Sequence, residues 1–439
     1  MSSDYLSSLP EEMLDEISKF IQRVYTSDLS FDRNDHEAKK SYRALAQTCK
    51  SLRPHFQRRL FSNIDLSAET RPRKLAELVQ INPVLASYIR MIDLQVDNMC
   101  MGSLQYSPLL VIMHAASSSG TTPKIRLHIA TPWSYANVPG NNLPSNTITH
   151  ILNAPQTIMH AITDLRCGYT VMKPSFPVSL FKLFPNLCIV GAYDIVVSSD
   201  DCLAEDHTSG SQFFRPKLNV LMLDSCTTAT IKMLCEEILD LSALKEFKVR
   251  FINRETTGMD HLNTKRLFAW RILDHAQSVQ ILHLDVGVGP FYDLSRLQHL
   301  RKCTFDLEVD ASANPVPHLC QLLRTLPPLP EHNLEYLHLL FEFVDILFDE
   351  NDIAGSHVLF STDTWSNFDV ALVNLITSGT RPFKLELVFL TPTIKRVTKP
   401  LLTSLFFDWE RRYLPKSSRQ RNLTVVIRHS FLYSRYYSP

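Results

Sequence analysis

The chain has no surplus of charge of either sign. Lys+Arg and Asp+Glu both number 45, so the formal net charge is zero. A nucleic-acid binder normally gathers a basic surplus to neutralise phosphates, so the balance disfavours that class. Glycine is scarce, with 11 residues in 439 against 25 prolines. That composition leaves little room for long flexible linkers and suits many strand–helix joints. None of the nine cysteines has a partner at C-x-x-C spacing, and several lie inside apolar runs, where a free thiol behaves as a small hydrophobe. A disulfide framework and a structural zinc site are therefore not expected, and a reducing compartment, cytoplasm or nucleus, is. The longest apolar run, near residues 108–116, is far short of the ~20 residues of a membrane helix. The first thirty residues lack the unbroken apolar stretch of a signal peptide. A G-x-S-x-G elbow, a Walker-A loop and an H-E-x-x-H pair are all missing. No nucleophile has a credible base beside it in the sequence. The expectation is a protein that is not an enzyme and holds neither cofactor nor metal.

What is present is apolar material in quantity: 45% hydrophobic against 21% charged. A chain of 439 residues exceeds one ordinary domain and fits two or three, or one domain plus a repeat array. Near the N-terminus, Met13, Leu14, Ile17, Phe20, Ile21 and Val24 recur at three- and four-residue steps, so they share a helix face. Ser8 and Glu11 have capping-box spacing, and Pro10 suits a first helical turn. Residues 25–40 are rich in Thr, Ser, Asp and Asn and read as a loop. A second helix carries Tyr42, Leu45, Cys49 and Leu52 on one face and is expected to end at Arg53-Pro54. A third helical piece holds Phe56, Leu60 and Phe61. Three short helices bury only ~60% of their unfolded surface and are marginal alone, which implies docking on something larger.

These pieces together, Leu9-Pro10-x-Glu12-x-Leu14-x-x-Ile17, Cys49-Lys50-Ser51 and Arg59-Leu60-Phe61-x-x-Ile64-x-Leu66, resemble an F-box of the kind found at the front of many fungal F-box proteins. The resemblance covers residues 5–66. The 25–40 segment is longer than usual for that family, and Leu52 stands where the family often has tryptophan. The resemblance implies docking on the Skp-type adaptor of an SCF (cullin-RING) ubiquitin ligase, with Leu9, Pro10, Leu14, Ile17, Leu45, Cys49 and Leu52 as adaptor-binding candidates. It further implies that the rest of the chain, 67–439, selects a protein substrate whose identity the sequence does not encode.

Past residue 66 short apolar strands recur between helical stretches. Candidate strands are 64–66, 89–96, 124–130, 187–197, 218–224, 244–251, 279–286, 301–309, 334–343, 383–390 and 423–429. Several share Leu218-x-x-Leu221-x-Leu223, Leu244-x-x-Phe247-x-Val249, Val279-x-x-Leu282-x-Leu284 and Leu334-x-x-Leu337-x-Leu339, which resembles the L-x-x-L-x-L strand of a leucine-rich repeat. Helices are expected at 228–241, 260–276, 318–325, 367–377 and 395–413, and loops at 131–153 and 198–211. The expected architecture is α/β: a short three-helix F-box followed by an irregular leucine-rich-repeat-like solenoid with a curved, mostly parallel sheet.

Two further function classes stay open. One is a protein-interaction scaffold without ubiquitin transfer. The other starts from Leu284-Asp285-Val286-Gly287-Val288-Gly289, a strand followed by D-x-G-x-G, which resembles the cofactor loop of S-adenosylmethionine-dependent methyltransferases; Asp306, Glu308 or Asp310 would take the ribose. Phe291 stands where that motif needs a third glycine. The acidic loop Asp200, Asp201, Glu205, Asp206 and His207 reads as solvated rather than metal-binding. The basic neighbourhoods at 53–73 and 411–421 read as solvated helix faces.

Overall fold

The computed structural model describes residues 10–26, 31–48, 52–66, 71–96, 106–129, 151, 153–168, 175–198, 215–250, 270–285, 293–309, 314–326, 332–343, 362–376, 381–392, 411 and 413–432. The chain is a mixed α/β protein whose strand pairings, among the described residues, are all parallel. It divides into two compact units. The first holds residues 1–174 and 183–187, the second 175–182 and 188–439.

The first unit opens with α1 (Glu11–Thr26), α2 (Phe31–Thr48) and α3 (Arg53–Ser62). Two expectations are corrected here. Residues 31–40 are helix rather than loop, and that stretch includes Glu37-Ala38-Lys39-Lys40, a run of strong helix formers. Arg53-Pro54 does not close the second helix but opens the third, because a proline in the first turn gives up only an N–H that has no helical partner. The chain passes directly from α3 into β1 (Asn63–Asp65), then α4 (Arg71–Ile81), a 3₁₀ turn (Pro83–Tyr88), β2 (Met91–Val96), α5 (Tyr106–Ser118), β3 (Lys124–Ile129), α6 (Gln156–Ala161) and β4 (Ile162–Gly168). The strands lie in chain order, β1-β2-β3-β4. The three N-terminal helices thus share a unit with the strands after them, and the division does not fall at residue 66. The join is physical: α3 touches the 3₁₀ turn, where the Arg58 guanidinium lies 5.9 Å from the Tyr88 ring centre.

Alternation along the strands buries Ile92, Leu94 and Val96 of β2 and Ile125, Leu127 and Ile129 of β3. Helix α5 buries Leu109, Ile112, Met113 and Ala116. It ends on Gly120 at φ 77°, with Thr121 N–H bonding back to the Ala116 carbonyl at 3.0 Å. This six-to-one closure needs a residue tolerant of left-handed backbone. Strand β4 was not anticipated. Its alternation is interrupted by a register shift that sets Asp164 opposite Arg126 of β3; Asp164 is fully buried and paired with that arginine.

The second unit contains β5 (Ser175–Pro177), α7 (Val178–Lys182), β6 (Ile189–Tyr193), β7 (Val196–Ser198), β8 (Val220–Asp224), α8 (Thr228–Lys232), β9 (Glu246–Arg250), β10 (Ile281–Asp285), β11 (Lys302–Val309), α9 (Val316–Arg324), β12 (Tyr336–Phe343), α10 (Thr362–Ile376), β13 (Phe383–Pro392) and β14 (Leu423–Leu432). The main strands again lie in chain order, β6-β8-β9-β10-β11-β12-β13-β14, while β5 and β7 form a separate pair. The expected single strand over 187–197 is two, because Asp194 adopts φ 53° between them and turns the chain from one sheet to the other. The expected helix over 228–241 is α-helical to Lys232 and then π-helical over Met233–Ile238. Of the helix expected over 260–276, residues 270–275 are described and helical.

All twelve positions of the L-x-x-L-x-L pattern are buried, from Leu218, Leu221 and Leu223 through Leu334, Leu337 and Leu339. Toward the C-terminal end an aromatic cluster fills the interior. Trp365 of α10 lies 5.7 Å from Phe341 and 5.4 Å from Phe368, ring centre to ring centre, and Phe341 stacks on Phe389 at 5.1 Å. Strands β12 and β13 are buried on both faces, since Leu340, Val388 and Leu390 form a second apolar cluster. Near-continuous apolar strands of this kind are what a parallel sheet covered on both sides requires. The described cysteines Cys167, Cys188, Cys226, Cys235, Cys303 and Cys320 are free thiols. No helix among the described residues is long and apolar enough to cross a membrane.

Candidate functional site

Helices α1, α2 and α3 close around a small interior of Tyr42, Ala46, Leu52 and Phe56, against which Leu14, Leu45 and Leu60 pack half-buried. The Tyr42 hydroxyl donates to the Ser18 carbonyl at 3.0 Å, tying α2 to α1. His55 stands edge-on to Phe56 with ring centres 5.1 Å apart. Burial pushes its imidazole below the usual histidine value, against the opposing pull of Asp15. Salt bridges fasten α3 to α1: Arg58 to Glu11 at 3.1 Å, and Arg59 to Asp15. The Arg59 hydrogen bond holds the Asp15 carboxyl below the ordinary carboxylate range.

The adaptor-binding candidates divide by place. Pro10 is exposed, and its carbonyl starts α1 by accepting from Met13 at 3.0 Å and Leu14 at 3.2 Å. Leu14, Ile17 and Leu45 are half-buried. Leu52, at 2% exposure, is an interior residue and supports the surface rather than forming it. Leu9 and Cys49 lie outside the described residues. Met13, grouped by periodicity with the apolar face, is instead 51% exposed. Beside Pro10 it forms an apolar edge at the start of α1, with the carboxylates of Glu11 and Glu12 next to it. The sequence signal for this edge is the i, i+3 spacing of Pro10 and Met13.

On the second unit, polar residues line one register row across the sheet: Lys248, His283, Thr304, His338 and Glu386 lie opposite one another in turn. His283 Nε2 is 2.9 Å from Asp306 Oδ2, and Arg250 bridges Glu342 at 3.2 Å. Glu386 accepts from the Tyr336 hydroxyl at 2.6 Å and from Lys384 at 2.8 Å, with Arg428 at 3.0 Å. Burial pushes the His338 imidazole down. The carboxylates of Asp306, Glu342 and Glu386 thus each have a basic partner, while His338 Nε2 and Asp306 Oδ1 are buried without a hydrogen-bond partner among the described residues. Burial itself pushes the Cys226 thiol up to about 12, the opposite of an activated nucleophile.

Of the methyltransferase motif, Leu284 and Asp285 end β10, residues 286–292 and Asp310 lie outside the described residues, and Asp306 is engaged by His283. The strands run in chain order, so the reversal at which doubly wound sheets bind dinucleotide-like ligands does not occur among the described strands. The acidic loop from Asp200 to His207 also lies outside the described residues. Among the described residues, no group of three or more His, Cys, Asp and Glu side chains is placed to hold a metal ion. No protein-family model matches the chain, and no curated protein matches it either.

Proposed function

We propose that this chain is a non-catalytic substrate-recognition subunit of an SCF-type ubiquitin ligase. The three N-terminal helices act as an F-box that docks on the Skp-type adaptor and, through it, on a cullin. The remaining chain is an irregular leucine-rich-repeat-like array that holds a protein substrate close enough for ubiquitin transfer. The observation that carries the reading is the Leu9–Leu66 motif on a three-helix unit that leaves Pro10 and Met13 exposed at its leading edge. The chain-ordered parallel strands, with every L-x-x-L-x-L position buried, support the repeat-like body.

The test is binding of the purified full chain to purified adaptor. Leu14→Asp with Ile17→Asp is expected to abolish it, because an unpaired carboxylate at a buried contact costs several kcal/mol. Leu14 also packs on the interior, so Met13→Asp serves as the second variant. Its site is half-exposed and leaves the interior intact, and binding should weaken by about tenfold or more with unchanged melting. Adaptor bound equally by the wild type and both variants would sink the F-box reading. Adaptor bound without recruitment of cullin would leave the scaffold reading in its place.

A further inference from the structure

Strand β14 (Leu423–Leu432) is the last strand of its sheet and, among the described strands, pairs on one side only, with β13. The Phe383 N–H donates to the Asn422 carbonyl at 2.8 Å. In a parallel ladder this gives the backbone of the even-numbered β14 residues to β13 and turns the N–H and C=O of Val425 and Ile427 to the open side. The Leu423 N–H, which faces the same way, is closed off by the Gln420 carbonyl at 3.2 Å. Edge strands are ordinarily blunted by shortness, proline, lysine or a bulge. β14 has ten residues, with neither proline nor lysine among them, and its register with β13 runs unbroken along its length.

The core face of β14 is also incompletely covered. Phe383, Leu385 and Leu387 of β13 are at most 1% exposed, whereas their register partners Leu423, Val425 and Ile427 are half-buried. A further strand with apolar residues at alternate positions would cover them. The charge that strand must carry is set by the turn before β14. Lys416, Arg419 and Arg421 are exposed there, and none has an acidic partner among the described residues. Asp369, the buried carboxylate that meets this turn, is taken up by the backbone N–H groups of Lys416 and Ser417 at 2.9 and 2.8 Å. Arg428, on the outer face, reaches back to Glu386 of β13 at 3.0 Å.

We propose that the open edge of β14 takes an extended acidic peptide of a protein partner as an added strand. Its alternate apolar residues would lie beside Leu423, Val425 and Ile427, and its carboxylates against Lys416, Arg419 and Arg421. Backbone hydrogen bonds supply the affinity, and the cationic turn selects the partner. Docking at this edge is independent of what the N-terminal helices bind. One added strand is a small interface, so binding is weak, at roughly 10–100 μM.

The test is fluorescence anisotropy of short labelled peptides with the purified full chain. Two peptides alternate valine and threonine and carry a run of glutamates, at the N-terminus in one and the C-terminus in the other. One of them should bind in that range, the first as a parallel strand or the second as an antiparallel one. Val425→Pro removes an outward N–H and leaves the β13 ladder whole, since proline is tolerated on an edge strand where its nitrogen faces away from the neighbour. It should weaken binding by about tenfold or more, with the fold intact by circular dichroism. Arg419→Glu with Arg421→Glu, at exposed sites, should weaken it by about tenfold, with the larger effect at low salt. Failure of both peptides to bind by about 1 mM overturns the proposal, and so does wild-type binding by Val425→Pro. Equal binding of a peptide with the same glutamates but proline at every other position also overturns it, because that peptide cannot pair as a strand. Binding indifferent to the double arginine variant overturns the acidic partner. A wild type that dimerises without binding peptide, and is monomeric as Val425→Pro, reassigns the edge to a second copy.

Discussion

Removing the carboxylate of Asp164 should loosen the sheet of the first unit far more than any surface ion pair could. Asp93, Arg126 and Asp164 stand opposite one another on β2, β3 and β4. Arg126 Nε lies 2.6 Å from Asp164 and its Nη1 3.3 Å from Asp93, and Arg166 Nε is 3.2 Å from Asp164. The Asp164 side chain is 0% exposed, while those of Arg126 and Arg166 retain 24% and 20%. Breaking a buried pair by removing one partner costs about 3–5 kcal/mol. The low end applies here, because Arg126 keeps Asp93 and both guanidinium groups still reach water. Asp164→Ala should therefore cost about 3 kcal/mol. At about 1.4 kcal/mol per tenfold, amides of β3 and β4 should exchange about 100-fold faster in hydrogen-exchange mass spectrometry of the intact chain, with the strands of the second unit unaffected. Asp93→Leu, Arg126→Met and Asp164→Leu combined should recover most of the loss, since apolar replacement of all three members of a buried charge network is close to neutral while removal of one member is not. Acceleration below fivefold, or a triple variant as labile as Asp164→Ala, would refute the reasoning.

Two other outcomes follow from the second unit. Trp365→Ala empties the centre of the aromatic cluster and should cost about 3–5 kcal/mol, lowering the melting temperature by roughly 6–10 °C. Trp365→Phe should keep most of it, and a drop below 2 °C in the alanine variant would remove the cluster from the core. At Glu386, burial pushes the carboxyl up, but the hydrogen bonds of Lys384 and Tyr336 and the charges of Lys384 and Arg428 outweigh it, so the group stays below its ordinary 4.5. A depressed carboxyl stabilises the fold above its unfolded value and loses that contribution as pH falls through the lower folded value. Glu386→Gln should therefore be less stable than wild type in urea at pH 7, with the gap closing below about pH 4. A gap that is constant with pH would contradict the assignment.

What could be read without coordinates followed local rules. The L-x-x-L-x-L strands were legible because burial of alternate residues writes a period of two into any half-buried strand. Strand β4 was illegible because a register shift interrupts its alternation and the partner of its buried Asp164, Arg126, is 38 residues earlier. The helix over 31–40 was hidden by its polarity, and the role of Arg53-Pro54 by the symmetry of proline as both stop and start. Met13 matched the apolar periodicity of α1, yet which helical positions are covered depends on where α2 and α3 settle.

The sequence by itself determined that this is an α/β chain with many short strands, a three-helix start bearing the Leu9–Ile17 motif, and, among the described cysteines, free thiols. Each of these follows from residue type and spacing within about ten positions. Only the tertiary structure decided that the strands stand in chain order, that Leu52 lies inside while Pro10 and Met13 stay outside, and that β14 ends its sheet with an open edge among the described strands. Those outcomes depend on contacts between residues far apart in the chain, which no local period records.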